Sequence, residues 1–166
     1  MKLIILRGLP GCGKSTIAEK LKERLNIPVV FGDTFKRNFM KQNSNSENED
    51  VFQYAYDKIF KKIKELFEIG EEIVIVEELF NDKDLIQQIQ SFCKEKDIEV
   101  KSFLIKRDLE KLLEVEEGRE RKIKNTKEDF ENLRKELEDV NIKDEVDVNN
   151  NGTIEDSVEF ILEKIK

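Results

Sequence analysis

The chain has 166 residues, long enough for one domain with a full core and short for two ordinary ones. Its composition, 38% hydrophobic and 40% charged, suits a globular protein with charged outer helix faces; no apolar run reaches bilayer-spanning length, and Met1-Lys2 leads straight into an apolar run, so the expected location is cytoplasmic, with no membrane contact. The net charge of −7 opposes nucleic acid on average while leaving room for a local basic cleft, and the lack of histidine leaves carboxylates as general bases and removes imidazole metal sites.

The apolar run Leu3-Ile4-Ile5-Leu6 predicts a buried strand, and directly behind it Gly8-Leu9-Pro10-Gly11-Cys12-Gly13-Lys14-Ser15 fits the pattern G-x-x-x-x-G-K-[ST], ahead of a helical pattern. Strand, glycine turn and helix in that order are the setting of a phosphate-binding loop. A polyphosphate must be wrapped by backbone N–H groups, and glycines let the chain turn tightly enough to aim several amides inward. Gly8, Pro10, Gly11, Cys12, Gly13, Lys14, Ser15 and Thr16 are therefore the expected nucleotide-binding set. Lys14 is expected to reach the β- and γ-phosphates and Ser15 to bind Mg²⁺, with the positive end of the helix dipole on the same anion. Cys12 and Cys93 are far apart in the sequence and offer neither a metal spacing nor a disulfide framework; Cys93 reads as a small core residue.

Ile17, Leu21 and Leu25 share one helical face with Ala18 alongside, and Asn26-Ile27-Pro28 ends that helix before the short strand Val29-Val30-Phe31. Asp33 follows on the rim that carries the phosphate loop. Two compatible roles are open for it: a base that accepts the proton of an attacking hydroxyl, or a cap on the helix beginning at Thr34. Lys36 and Arg37 lie in the first turn of that helix, where cations oppose the dipole; contact with a phosphate or an acidic substrate accounts for them, and so does a solvated surface.

Residues 41–50, with the polar run Asn43 to Asp50, read as a mobile substrate loop or a plain linker. Val51, Ala55, Ile59, Ile63 and Leu66 then mark a long amphipathic helix. Ile73-Val74-Ile75-Val76 predicts a strand buried on both faces and lying beside the first, ended by Glu77-Glu78. At least one of these carboxylates is expected to point into the site and serve the Mg²⁺ shell, and alternation along a strand keeps both from doing the same job; the sequence does not choose between them. A helix over Leu85 to Phe92, a strand over Val100 to Ile105 and a helix from Leu109 come next.

The charged segment from Glu114 to Lys127 includes Arg119-Glu120-Arg121-Lys122 and reads as a lid over about 115–127 or as a solvated face. A helix through Phe130, Leu133 and Leu137, a strand Val146-Asp147-Val148, the turn Asn149-Asn150-Asn151-Gly152 and a last helix capped by Thr153 with Asp156 complete the chain. Five strands alternating with helices predict a single α/β domain in three layers, α/β/α, spanning 1–166, with a parallel sheet covered on both faces and ligand at the carboxyl ends of the strands.

Taken together, these residues resemble the P-loop kinase superfamily, in particular the AAA-type small kinases around polynucleotide 5'-kinase, seryl-tRNA kinase, zeta-toxin-type and chloramphenicol phosphotransferase-type enzymes. Gly8 to Thr16 matches the form G-x-P-G-x-G-K-S-T. The resemblance implies the P-loop NTPase fold with strand order 2-3-1-4-5, ATP and Mg²⁺ as cofactors, and transfer of the γ-phosphate to a hydroxyl of a small molecule or nucleic acid. It implies Asp33 as the substrate-activating aspartate, Lys36 or Arg37 as the substrate-binding cation, and Arg119 and Arg121 as lid arginines acting in catalysis with Lys14. The chain departs from that pattern at Glu77-Glu78-Leu79-Phe80, where the branch carries aspartate often followed by threonine and asparagine, and at Val115, where the first lid arginine of R-x-x-x-R would fall. Those departures keep two further expectations open, a nucleoside monophosphate kinase and an ATP-binding switch with little turnover, in a monomer or dimer.

Overall fold

In this computed structural model, residues 1–43, 48–120 and 124–166 are described. In chain order the elements are β1 (Lys2–Arg7), α1 (Lys14–Leu25), β2 (Val29–Phe31), α2 (Gly32–Gln42), α3 (Asn48–Glu68), β3 (Ile73–Glu77), α4 (Lys83–Glu95), β4 (Glu99–Lys106), α5 (Leu109–Glu117), α6 (Lys127–Asp139), β5 (Val146–Asn149) and α7 (Ile154–Ile165). The strands form one five-stranded sheet in the order β2-β3-β1-β4-β5 with every pairing parallel, the α/β P-loop kinase fold expected from the sequence. β1 takes the centre, with Leu6 opposite Glu77 on one side and Phe103 on the other. That register brings the start of the glycine loop and the Glu77 carboxylate to the same end of the sheet.

Alternation along each strand divides the core in two. Leu3, Ile5, Val74 and Val76 face Ile59 and Ile63 of α3 and Ile86 and Ile89 of α4. Ile4, Leu6, Ile75 and Phe103 face Ile17 and Leu21 of α1 and Val158 and Ile161 of α7. Both faces are apolar because right-handed crossovers lay helices on both, which is why the central strands read as continuous hydrophobic runs.

α2 begins at Gly32, two residues ahead of the expected start, with no side-chain cap, so Asp33 lies within its first turn rather than capping it. α2 runs to Gln42 and α3 starts at Asn48, which narrows the segment read as a loop over 41–50 to residues 43–47, of which 44–47 lie outside the described residues. Likewise α5 extends to Glu117 and α6 starts at Lys127, leaving 118–126 as the connection at the expected lid, with 121–123 outside the described residues. The expected cap on the last helix is present: the Thr153 hydroxyl accepts from the Asp156 N–H at 3.1 Å, and the Asp156 carboxylate accepts from the Thr153 N–H at 3.3 Å. No helix among the described residues is long and apolar enough to cross a membrane.

Candidate nucleotide and acceptor site

The loop between β1 and α1 turns on three glycines with positive φ, Gly8 at 146°, Gly11 at 86° and Gly13 at 99°. A side chain at Gly8 would collide with the Ile105 carbonyl, and one at Gly13 with the Asn150 amide. Conformation and space therefore both demand glycine at these two positions. Cys12 is fully buried within the loop, and its thiol pKa is raised, chiefly by that burial, so it stays a neutral packing group.

Lys14, at the first position of α1, folds back over the loop. Its ammonium donates to the Leu9 carbonyl at 3.1 Å and lies 3.6 Å from Glu77 Oε1. The Ser15 hydroxyl donates to Glu77 Oε2 at 3.2 Å. Burial disfavours the charge on Lys14, and the Cys12 sulfur with the Glu77, Glu78 and Asp33 carboxylates more than offset it, so its pKa rises above the usual lysine value. Because the Cys12 thiol is itself held neutral, the carboxylates are the physical source of that field. The Glu77 pKa is raised, first by burial and then by Glu78 and Asp33, against the pull of Lys14 and Ser15.

Glu78 lies in the bend just past β3 and points elsewhere. Its Oε1 accepts from Lys36 Nζ at 2.5 Å and from the Leu79 N–H at 2.8 Å, while its buried Oε2 has no hydrogen-bond partner among the described residues and packs over Gly32, where a Cβ would collide with it. Lys36 also lies 3.6 Å from Asp33 Oδ1 and 4.7 Å from the centre of the Phe52 ring. The Asp33 side chain is 72% exposed, which leaves its carboxylate open to an incoming group, yet close enough to act on the charges of Lys14 and Glu77. Arg37 is exposed and its Nε donates to the Asp33 carbonyl at 3.3 Å. Thus Lys14, Ser15, Glu77 and Asp33 gather at one end of the sheet, with Lys36 joined to them through Glu78 and Asp33.

Arg119 turns toward its own segment: Nη1 is 3.0 Å from Glu116 Oε2, and Glu116, 2% exposed, also accepts from the Asn125 N–H at 3.0 Å. Arg121 lies outside the described residues. No group of three or more Asp, Glu or Cys among the described residues is arranged to hold a metal. A cavity of about 1060 Å³ opens between the β4–β5 side of the sheet and helices α5 and α6, lined by Leu9, Arg107, Leu113 and Arg134 among others; Lys14, Ser15, Asp33 and Glu77 are not in its wall.

Two residues beside the site escaped sequence reasoning. Arg7, 2% exposed at the end of β1, donates to Glu145 at 2.8 and 2.9 Å and to the carbonyls of Phe80, Leu137 and Val140 at 3.1, 3.2 and 2.8 Å. Its signal was the strand period itself, which puts Arg7 on the same face as Leu3 and Ile5. Asn150, also 2% exposed, donates to the Cys12 carbonyl at 2.7 Å and was legible only as part of a turn.

Known proteins resemble the chain both in sequence and in fold. The adenylate kinases of Thermotoga neapolitana and Thermotoga maritima are 32% and 34% identical over 83 residues, a match that spans 49% of this chain and 31% of each relative. Among solved structures, a candidate kinase from Chloroflexus aurantiacus superposes with a TM-score of 0.77 at 18% identity, covering 99% of this chain and 98% of that one. The tunicamycin resistance protein of Deinococcus radiodurans gives 0.73 at 19% identity (99% and 95% covered), and a gluconokinase from Sinorhizobium meliloti 0.65 at 14% (99% and 95%). These likenesses are of fold. The AAA domain family matches residues 3–140, from β1 through α6, and the chain, with its three-glycine loop and 2-3-1-4-5 parallel sheet, belongs to that family.

Proposed function

We propose that the chain is a kinase that uses ATP with Mg²⁺ and transfers the γ-phosphate to a hydroxyl of a small molecule or nucleic-acid acceptor. The observation that carries this reading is the convergence of Lys14, Ser15 and Glu77 at the mouth of the glycine loop, with the exposed Asp33 carboxylate on the same rim. The loop amides and Lys14 would hold the phosphates, and Arg119 and Arg121 would add charge from the connection between α5 and α6. Magnesium is commonly held by one or two protein oxygens together with phosphates, and the adjacent Ser15 hydroxyl and Glu77 carboxylate fit that need; bound there, it would neutralise phosphate charge. Glu78 fits a brace for Lys36 better than a metal ligand, since Lys36 and the Leu79 amide already occupy its Oε1 and its Oε2 is packed over Gly32. Asp33 would take the proton of the acceptor hydroxyl, with Lys36 and Arg37 beside it on the acceptor side. The net charge of −7 favours a small acceptor over a nucleic acid, and a cytoplasmic monomer or dimer suits an ATP-dependent enzyme.

The test is a screen of γ-phosphate transfer to nucleosides, short oligonucleotides, tRNA and hydroxylated metabolites, repeated with Asp33→Ala. That variant should lose turnover by about 10²- to 10⁴-fold and keep its Mg·ATP affinity. Unchanged turnover would remove Asp33 as the base; transfer to none of the hydroxyl acceptors by a protein that binds ATP would turn the assignment toward a nucleotide switch. The match to adenylate kinases favours a second reading, a nucleoside monophosphate acceptor, which transfer to AMP in preference to adenosine would establish.

A further inference from the structure

The turn Asn149-Asn150-Asn151-Gly152 reads in the sequence as a chain reversal before α7, and a reversal does not require three consecutive asparagines. In the fold each of them is engaged. Asn149 Oδ1 accepts from the Asn151 N–H at 3.0 Å and shapes the turn. Asn150 is buried: Nδ2 donates to the Cys12 carbonyl at 2.7 Å, Oδ1 accepts from the Ser157 hydroxyl at 2.8 Å, and its backbone N–H donates to the Lys106 carbonyl at 2.8 Å. A carbonyl can only accept, so the NH₂ end of the amide must face Cys12 and the oxygen must face Ser157. Asn151 and Asp108 exchange two bonds of 2.9 Å, and the Asn151 carbonyl accepts from Lys111 Nζ at 2.6 Å. The turn therefore ties the glycine loop on one side to the root of α5 on the other.

The Cys12 carbonyl and the Gly13 N–H belong to one planar trans peptide, in which the two groups point in opposite directions. Fixing the carbonyl toward Asn150 therefore fixes the Gly13 N–H to point away from it. Gly13 completes the fit, because a Cβ there would collide with the Asn150 amide. We infer that the asparagine turn is a positioning element of the nucleotide site: Asn150 sets the orientation of the Cys12–Gly13 peptide so that its N–H faces bound phosphates, and Asn151 anchors the helix that leads to the arginine-bearing connection. The turn lies beyond residues 3–140, the span of the family match. The inference rests on the nucleotide-binding reading above.

Calorimetric titration of the full chain with Mg·ATP and with inorganic tripolyphosphate, which probes the loop without a base, tests it alongside thermal unfolding of the free protein. Asn150→Ala should weaken both ligands by about tenfold or more, since one peptide of the cradle loses its preset orientation. Ser157→Ala, which removes only the hydroxyl that orients Asn150, should weaken both by about threefold with the fold retained. A folded Asn150→Ala protein with the affinities of the parent overturns the inference, as does weakened ATP binding with unchanged tripolyphosphate binding. If Asn150→Ala does not fold, unchanged affinities in Ser157→Ala overturn it instead. A parent protein that takes up neither ligand removes the nucleotide reading itself.

Discussion

Glu77 and Glu78 are neighbours in the chain with different surroundings, because Glu77 ends β3 and Glu78 lies in the bend just past it. Glu77 meets Lys14 and Ser15; Glu78 meets Lys36. If Glu77 serves the metal, Glu77→Gln should weaken Mg·ATP by about tenfold or more while leaving metal-free ATP binding nearly unchanged, as calorimetry with and without Mg²⁺ would read. Glu78→Gln should leave that difference intact and lower the unfolding free energy, since it removes the carboxylate charge nearest a largely buried lysine. Cys93 gives a pH prediction away from the site. Burial raises its thiol from the ordinary 9.0 to about 11, so the folded protein holds that proton more tightly than the unfolded chain. Its contribution to stability is fully present below pH 9.0 and is lost as the pH rises through about 11, and alkylation of Cys93 should follow unfolding rather than precede it. Denaturant titrations across that range, with Cys93→Ala as reference, check the sign.

The helices that frame the site begin in different ways. α1 starts at Gly13 in a left-handed conformation with no side-chain cap, so no capping side chain stands between its N-terminus and the loop. α7 starts from a full capping box, Thr153 with Asp156, which satisfies its first donors internally. An amide end left open is a place for an anion, and a closed one is only structure. Thr153→Ala should therefore cost about 1 kcal/mol of stability, read by urea denaturation, without changing nucleotide affinity beyond the measurement error. α6 has the same device in Thr126 and Asp129, a T-x-x-D spacing present in the sequence just past the charged segment. A boundary there is what separates α6 from the charged connection before it.

Across the fold, Arg7 joins segments that are distant in the chain: the end of β1, the turn after β3 at Phe80, the end of α6 at Leu137 and Val140, and Glu145 ahead of β5. Ser102 on β4 donates to the same Glu145 carboxylate at 2.6 Å. A buried guanidinium is tolerated here because five hydrogen bonds and one carboxylate satisfy it. Arg7→Ala would leave Glu145 and three carbonyls without that donor, and the expected cost is about 3–5 kcal/mol in chemical denaturation. Arg7→Met, which restores apolar volume but not the donors, should recover only part of that loss.

The amino-acid sequence by itself determined the phosphate loop, the βαβ order and the two-sided burial of the central strands, because glycine spacing and hydrophobic period act over a few residues. It also supplied the resemblance that the family match confirmed over residues 3–140. It left Glu77 and Glu78 unassigned, passed over Arg7, and reduced Asn150 to a turn residue. Those outcomes depend on partners far off in the chain: Asn150 and Cys12 are 138 residues apart, as are Arg7 and Glu145. Only the sheet order, which sets β3 and β4 on either side of β1 and β5 beyond β4, brings such pairs within hydrogen-bonding distance. Tertiary structure thus decided which polar groups face one another, since a hydrogen bond is specified by position in space and local sequence pattern carries no record of it.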